Sequence, residues 1–264
     1  MYTSHNFDKN SILSNFGEFI MIKRFCSRCF TRSQTSHHCE CSPNLDMFSE
    51  SIDAPIIYLY PDVEMGVDVS LKMNGIIQTI YPKCTSCNNR DECSWIVKAK
   101  PTGKLEMISS ESTNYSVNQR NIEYDYLFYE GIKPKLNLNE LEGFFVKKEE
   151  TSSFLETKLH EIGLNDSEMN EFIVFWLPRL EKNDYNFICF YVNEKYSEIS
   201  TLDVNPKPKS ILRVFMVFKG YSKEEHKNKL DSEFQFQLIP QTFPPFERKG
   251  FTIVEWGGSE FPKT

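Results

Sequence analysis

The rhythm of apolar and polar positions divides the chain into a first stretch with no period and a long remainder that alternates like strands, interrupted once by helix. Residues 1 to 54 are rich in Ser, Asn, His and Cys and keep neither a period of 2 nor one of 3.6. From Ala54 the strand period takes over. Pro55-Ile-Ile-Tyr-Leu-Tyr60 reads as a buried strand ended by Pro61, and Val67-Asp-Val-Ser-Leu-Lys-Met73 alternates strictly. Asn74-Gly75 follows it, the dipeptide that favours a two-residue hairpin, so the return strand is expected at Ile76–Tyr81. Trp95–Lys100, Lys104–Ile108 and Tyr124–Tyr129 continue the strand series.

The middle changes to a helical period. Thr151 is the expected N-cap of a helix over Ser152–Ile162, with Phe154, Leu155, Leu159 and Ile162 on its inner face and Gly163 after its end. Asn165 or Asp166 then caps a helix to Leu180, with Glu168 placed for a capping box. Phe172, Ile173, Phe175, Trp176 and Leu180 face inward, and Pro178 kinks or shortens the last turn. Strands resume at Phe187–Val192, Ile211–Phe218, Phe234–Ile239 and Phe251–Trp256, with Lys219–Asp231 as a charged, solvated loop. The pattern predicts an α+β fold: a β-rich antiparallel sheet or sandwich with a central pair of helices, and a small metal-clipped N-terminal segment. The domains expected are 1–54, Cys/His-rich segment and linker, and 55–264, one β-rich domain.

Composition sharpens this picture. With 22 Phe and 12 Tyr in 264 residues, much of the core must be aromatic. No apolar run approaches the roughly 18 residues of a membrane span, so none is expected. Met1–Asn15 is polar and lacks the apolar region of a secretory signal, which makes an intracellular, cytoplasmic and reducing setting the default. A net charge of -7 argues against nucleic acid as the main partner.

The cysteines carry the sharpest chemistry. Cys26, Cys29, Cys39 and Cys41 form a Cys-x2-Cys-x9-Cys-x-Cys pattern, with His37 and His38 as substitute ligands. Cys84, Cys87 and Cys93 form a second cluster. Cys-x-x-Cys spacing suits one tetrahedral zinc, and a site closed by four protein ligands is structural. The second cluster needs a fourth ligand, which His37 or His38 supplies if the N-terminal segment folds over it. The competing readings are unligated thiols for either cluster, a redox Cys-x-x-Cys for the first, and a disulfide or redox use for the second. Cys189, inside a Phe-Ile-Cys-Phe run, reads as a core residue.

Catalysis is hard to assemble. Only His160 and His226 lie in the main domain, and no nucleophile elbow or phosphate-binding glycine loop is present. Glu130 and Glu255, each at the end of an aromatic strand, and Glu171 beside Phe172 are the carboxylates that could act as an acid–base pair on a glycosidic bond. Their ordinary reading is ion pairing with Arg213 and Arg248. Lys23, Arg24, Arg28 and Arg32, with Phe25 or Phe30, outline a small basic knuckle of the kind that binds single-stranded nucleic acid, diluted by Glu18, Glu40 and Asp46.

Five phrases in order carry a resemblance: Pro55-Ile-Ile-Tyr-Leu-Tyr-Pro61, Tyr126-Leu-Phe-Tyr-Glu-Gly131, Asn170-Glu-Phe-Ile-Val-Phe-Trp-Leu-Pro178, Leu212-Arg-Val-Phe-Met216 and Phe246-Glu-Arg-Lys-Gly-Phe-Thr-Ile-Val-Glu-Trp-Gly-Gly258. From Ala54 to Gly258 the chain resembles an uncharacterised family found in bacteria, often as predicted lipoproteins, and in other genomes. The resemblance implies a domain boundary and no activity. Both cysteine clusters depart from the family pattern. Frequent Asn, Lys, Ile and Phe suit an AT-rich genome, such as that of some protists or giant viruses, and a viral source would add a virion component to the expected locations. The function expected is a non-enzymatic interaction or structural protein with structural zinc and a protein partner. The alternatives are a carbohydrate-active or carbohydrate-binding domain and a zinc-knuckle nucleic-acid adaptor.

Overall fold

A computed structural model describes residues 49–108, 122–134, 136–231 and 238–261. The chain divides into two units, Met1–Met47 and Phe48–Thr264, and the first lies outside the described residues. So do the expected ligands Cys26, Cys29, His37, His38, Cys39 and Cys41, the basic knuckle, and most of the strand expected at Phe234–Ile239.

Eleven strands are described: β1 (Ser49–Tyr60), β2 (Met65–Met73), β3 (Ile76–Tyr81), β4 (Glu92–Ala99), β5 (Leu105–Met107), β6 (Leu127–Pro134), β7 (Phe144–Lys147), β8 (Tyr185–Val192), β9 (Ser200–Asn205), β10 (Ser210–Tyr221) and β11 (Thr252–Glu260). The helices are α1 (Thr151–Ile162), α2 (Asp166–Leu180), the single turn α3 (Glu194–Ser197) and α4 (Lys223–Asp231). A large sheet runs β3-β6-β1-β11-β10-β8-β7, and a small one β5-β4-β2-β9. Every pairing between these strands is antiparallel except β10 with β11, and an isolated bridge, Glu142 with Ile239, is parallel as well. The α+β expectation is met at this level, with antiparallel sheet dominant and few helices.

The large sheet is apolar on both faces because both are covered. Ile57, Leu59, Leu127, Tyr129, Phe215, Val217 and Ile253 face the small sheet, where Val67, Val69, Leu71, Trp95 and Val97 oppose them. Ile56, Tyr58, Phe190, Val214, Met216, Val254 and Trp256 face the helices and meet Leu155, Leu159, Phe172 and Trp176. A strand covered on both sides reads as a continuous apolar run rather than an alternation, as in the Phe-Ile-Cys-Phe-Tyr of β8.

The helix pair follows its sequence signals closely. Gly163 takes a left-handed φ of 117° and its N–H reaches the carbonyls of Leu159 and His160, ending α1. Asn165 and Glu168 form a reciprocal capping box that starts α2. Pro178 does not break α2, which runs on to Leu180. Thr151 is inside α1 rather than capping it, and its hydroxyl donates to the Lys147 carbonyl, back-bonded across the preceding turn.

Two further expectations fail for identifiable reasons. Asn74-Gly75 does not close a hairpin: β2 pairs β4 and β9 in the small sheet, whereas β3 pairs β6 in the large one. The dipeptide is instead the corner where the chain crosses between sheets, and a Cβ on Gly75 would stand 2.1 Å from the Ile132 carbonyl oxygen. The charged stretch after β10 is not a loop but α4. Ser222 and Glu225 exchange side-chain and backbone hydrogen bonds as a capping box, and His226 stacks on Tyr185 at 3.8 Å between ring centroids.

Candidate functional site

The carboxylates singled out from the sequence do not converge. Glu255 lies on β11 beside Trp256 but points the other way, into the space between the sheets. It is fully buried, and Arg213, its register partner on β10, is only 4 % exposed. Arg213 Nε donates to Glu255 Oε2, and the Tyr129 hydroxyl donates to Oε1 at 2.7 Å. The remaining guanidinium donors reach the Ser200 carbonyl at 2.8 Å, Ser200 Oγ at 2.9 Å and Ser197 Oγ at 3.2 Å. Burial works against the Arg213 cation, but the Glu255 carboxylate more than offsets this and keeps it charged. Burial, then the same carboxylate, pushes the Tyr129 phenol well above its ordinary range. This network ties α3 and the start of β9 to the large sheet, with every oxygen of Glu255 occupied.

Glu130 and Glu171 sit on the opposite, helix-facing side. Glu130 accepts from the Ala54 amide at 3.4 Å, and Glu171 from the Tyr58 hydroxyl at 2.8 Å. Burial, more than the nearby Asp53 carboxylate, raises the Glu130 carboxyl. The sheet therefore separates Glu255 from both. Of the two arginines expected to neutralise these glutamates, Arg213 pairs with Glu255, and both Glu255 and Glu130 lie within their strands rather than at the ends expected from the sequence. Arg248 instead grips the helix cap, with Nη1 at 3.0 Å from Glu168 Oε1 and Nη2 at 3.0 Å from the Gly163 carbonyl.

The second cysteine cluster takes its disulfide form. Cys84 and Cys87 are bonded to each other. Cys93 is on the inward face of β4, 3 % exposed, and burial pushes its thiol up to about 12. A metal needs the thiolate, so these three cysteines do not make a ligand set as they stand. No group of three or more His, Cys, Asp or Glu side chains that could hold a metal ion occurs among the described residues. Cys189 is buried in the core, as its neighbours implied.

What the sequence did not reveal is a groove on the outer face of the small sheet, with a volume of about 300 Å³. The register explains it. Ser86, Ser94, Ser70 and Asp203 align in one row across four chain segments. Beside it stands the row Glu92, Lys72, Thr201, with Leu71, Cys93 and Leu202 between the two rows. The short serines set against longer side chains leave a trough across the strands, roughly 14 Å long at the usual strand spacing. Lys72 Nζ bonds Glu92 Oε1 at 2.6 Å along one rim. The hydroxyls of Ser70 and Ser94 have no hydrogen-bond partner among the described residues. The wall at one end is the disulfide loop, which lays Ser86 and Asn88 beside β4. One signal was readable: Ser200-Thr-Leu-Asp-Val-Asn205 alternates as β9 requires. The row itself was not, because it depends on register between strands far apart in sequence.

Comparison of the chain with family models, curated proteins and solved structures gave no match. No described helix is long and apolar enough to cross a membrane.

Proposed function

We propose that the chain is a non-enzymatic binding protein whose recognition surface is the groove on the small sheet, and that the groove takes a polyhydroxylated ligand such as an oligosaccharide. The observation that carries this reading is the aligned row Ser86, Ser94, Ser70, Asp203, in which the central Ser94 and Ser70 hydroxyls have no partner among the described residues. A serine hydroxyl both donates and accepts, which matches the vicinal hydroxyls of a sugar. Asp203 and Asn88 at the two ends add fixed acceptor and donor capacity. Among the described residues no aromatic ring lines the groove. Recognition therefore rests chiefly on hydrogen bonds, each worth about 0.5–1.5 kcal/mol net, with affinity in the millimolar range, about -4 kcal/mol.

The test is an amide NMR titration with maltotriose, chitotriose and mannotriose. Shifts centred on Ser70, Ser94 and Asp203 that vanish in Ser94→Arg support the reading. No shift with any of the three, or shifts elsewhere, removes it in favour of the protein partner expected from the sequence. In this reading Cys26, Cys29, Cys39 and Cys41 form a structural zinc site, supported by their spacing alone. The five phrases between Pro55 and Gly258 support common ancestry with the uncharacterised family and bring no activity with them.

A further inference from the structure

We infer that the Cys84–Cys87 disulfide is a redox latch on the groove wall. The inference rests on the proposed groove for its consequence, but not for its mechanics. The two residues inside the disulfide ring hold the edge of β4. Thr85 and Ser86 both donate through their amides to the Ser94 carbonyl, at 2.8 and 3.2 Å. The Ser94 amide donates to the Ser86 carbonyl at 2.8 Å, and the Ile96 amide to Thr85 Oγ1 at 3.0 Å. These bonds place Ser86 at the end of the hydroxyl row. The segment that makes them is too short to be a strand: only Ser86 pairs with β4 as a bridge. Closing it into a ring removes much of the freedom the loop would otherwise lose on docking.

The two sulfurs differ in access. Cys84 packs against the core between the sheets, whereas Cys87 is exposed. A dithiol reductant therefore attacks Cys87 Sγ. The S–S bond breaks, Cys84 leaves as a thiolate and takes a proton, and the reductant is held to Cys87 as a mixed disulfide. Its second thiol displaces Cys87, giving two protein thiols and one oxidised reductant, with two electrons and two protons transferred. Without the ring, the Thr85–Ser86 segment leaves the β4 edge and the groove loses its end wall. Neither Cys93 nor Cys189 takes part, since both are buried.

Amide hydrogen exchange on the full chain, with and without dithiothreitol, tests this without any ligand. The Ser94 and Ile96 amides point at the loop and exchange on the order of tenfold faster after reduction. The Trp95 amide points at β2, stays protected, and reports that the domain remains folded. A Cys84→Ser/Cys87→Ser variant shows the fast rates from the start and no further response to dithiothreitol. Unchanged Ser94 and Ile96 exchange on reduction overturns the latch, as does a response that persists in the double variant. Alkylation of unreduced protein supplies a second check: modification of Cys84 and Cys87 without prior reduction also overturns it. Failure of the sugar titration leaves each of these outcomes readable.

Discussion

Replacing Glu255 by Gln removes one buried negative charge while keeping the shape of the side chain. Arg213 is then left as a cation with 4 % of its surface exposed and no counter-charge among the groups it touches. Breaking a buried pair from one side costs about 3–5 kcal/mol, because the surviving charge stays desolvated. Arg213→Met has a similar cost, since the Glu255 carboxylate keeps only the Tyr129 hydroxyl. The double variant Arg213→Met/Glu255→Gln leaves no orphaned charge. Its remaining cost comes from Ser200 and Ser197, which lose the guanidinium donors, worth about 1–3 kcal/mol together. The two single costs should therefore fail to add, and the double variant should be no less stable than either single one. For a domain of this size each single variant lowers Tm by roughly 6–20 °C. Urea unfolding followed by tryptophan fluorescence is a suitable assay, because Trp95, Trp176 and Trp256 are all buried and report on the small sheet, the helices and the large sheet in turn. Single variants costing under about 1 kcal/mol, or costs that simply add, would refute the reading of this network as a desolvated ion pair that anchors α3 and β9.

His226 provides a pH test. Burial, then the charge of Lys147, lowers its pKa below the ordinary 6.5, so the unfolded chain takes up the proton first as pH falls. Docking of α4 is then fully stabilised above pH 6.5 and weakens below it, until the folded-state imidazole also protonates. Hydrogen exchange in α4 at pH 7.5 and 5.5 should show this, and His226→Phe should abolish the difference. Gly75→Ala puts a methyl 2.1 Å from the Ile132 carbonyl oxygen, where backbone must move, and should cost about 2–3 kcal/mol in urea unfolding. Arg248→Met leaves Glu168 buried beneath the helix corner, but Arg248 is itself 30 % exposed. Its cost should be about 1.5–3 kcal/mol, smaller than that of Arg213→Met. Elemental analysis of reduced protein should find one zinc per chain that is lost in Cys26→Ser/Cys29→Ser, and no zinc in the unmutated chain would end the metal reading.

Local signals were readable wherever a neighbour in sequence was also the neighbour in space. Gly163, Asn165 and Glu168 mark the helix corner because caps are made within one turn of chain. The Ser222–Glu225 box obeys the same rule and was there to be read, but the run of charges around it suggested a solvated loop. The alternation of β2 tells which of its residues face inward, and Arg213 does pair with a glutamate, though Glu255 stands inside β11 rather than at a strand end. Pairing between distant segments was beyond that reach. Asn74-Gly75 has the chemistry of a hairpin, yet β6 offers β3 an edge and a carbonyl packed against Gly75, and the chain crosses between sheets instead. Glu130 and Glu255 look alike in sequence, both ending aromatic runs. The parity of each position along its strand sends one side chain to the helices and the other between the sheets. The serine row of the groove and the buried Arg213–Glu255 pair both arise from register between strands, whereas the disulfide at the end of that row closes within four residues of chain. Sequence set the elements and their inner faces, because periodicity and capping are local physics. Only the tertiary structure decided which of those faces meet, because sheet register is fixed by the packing of the whole core.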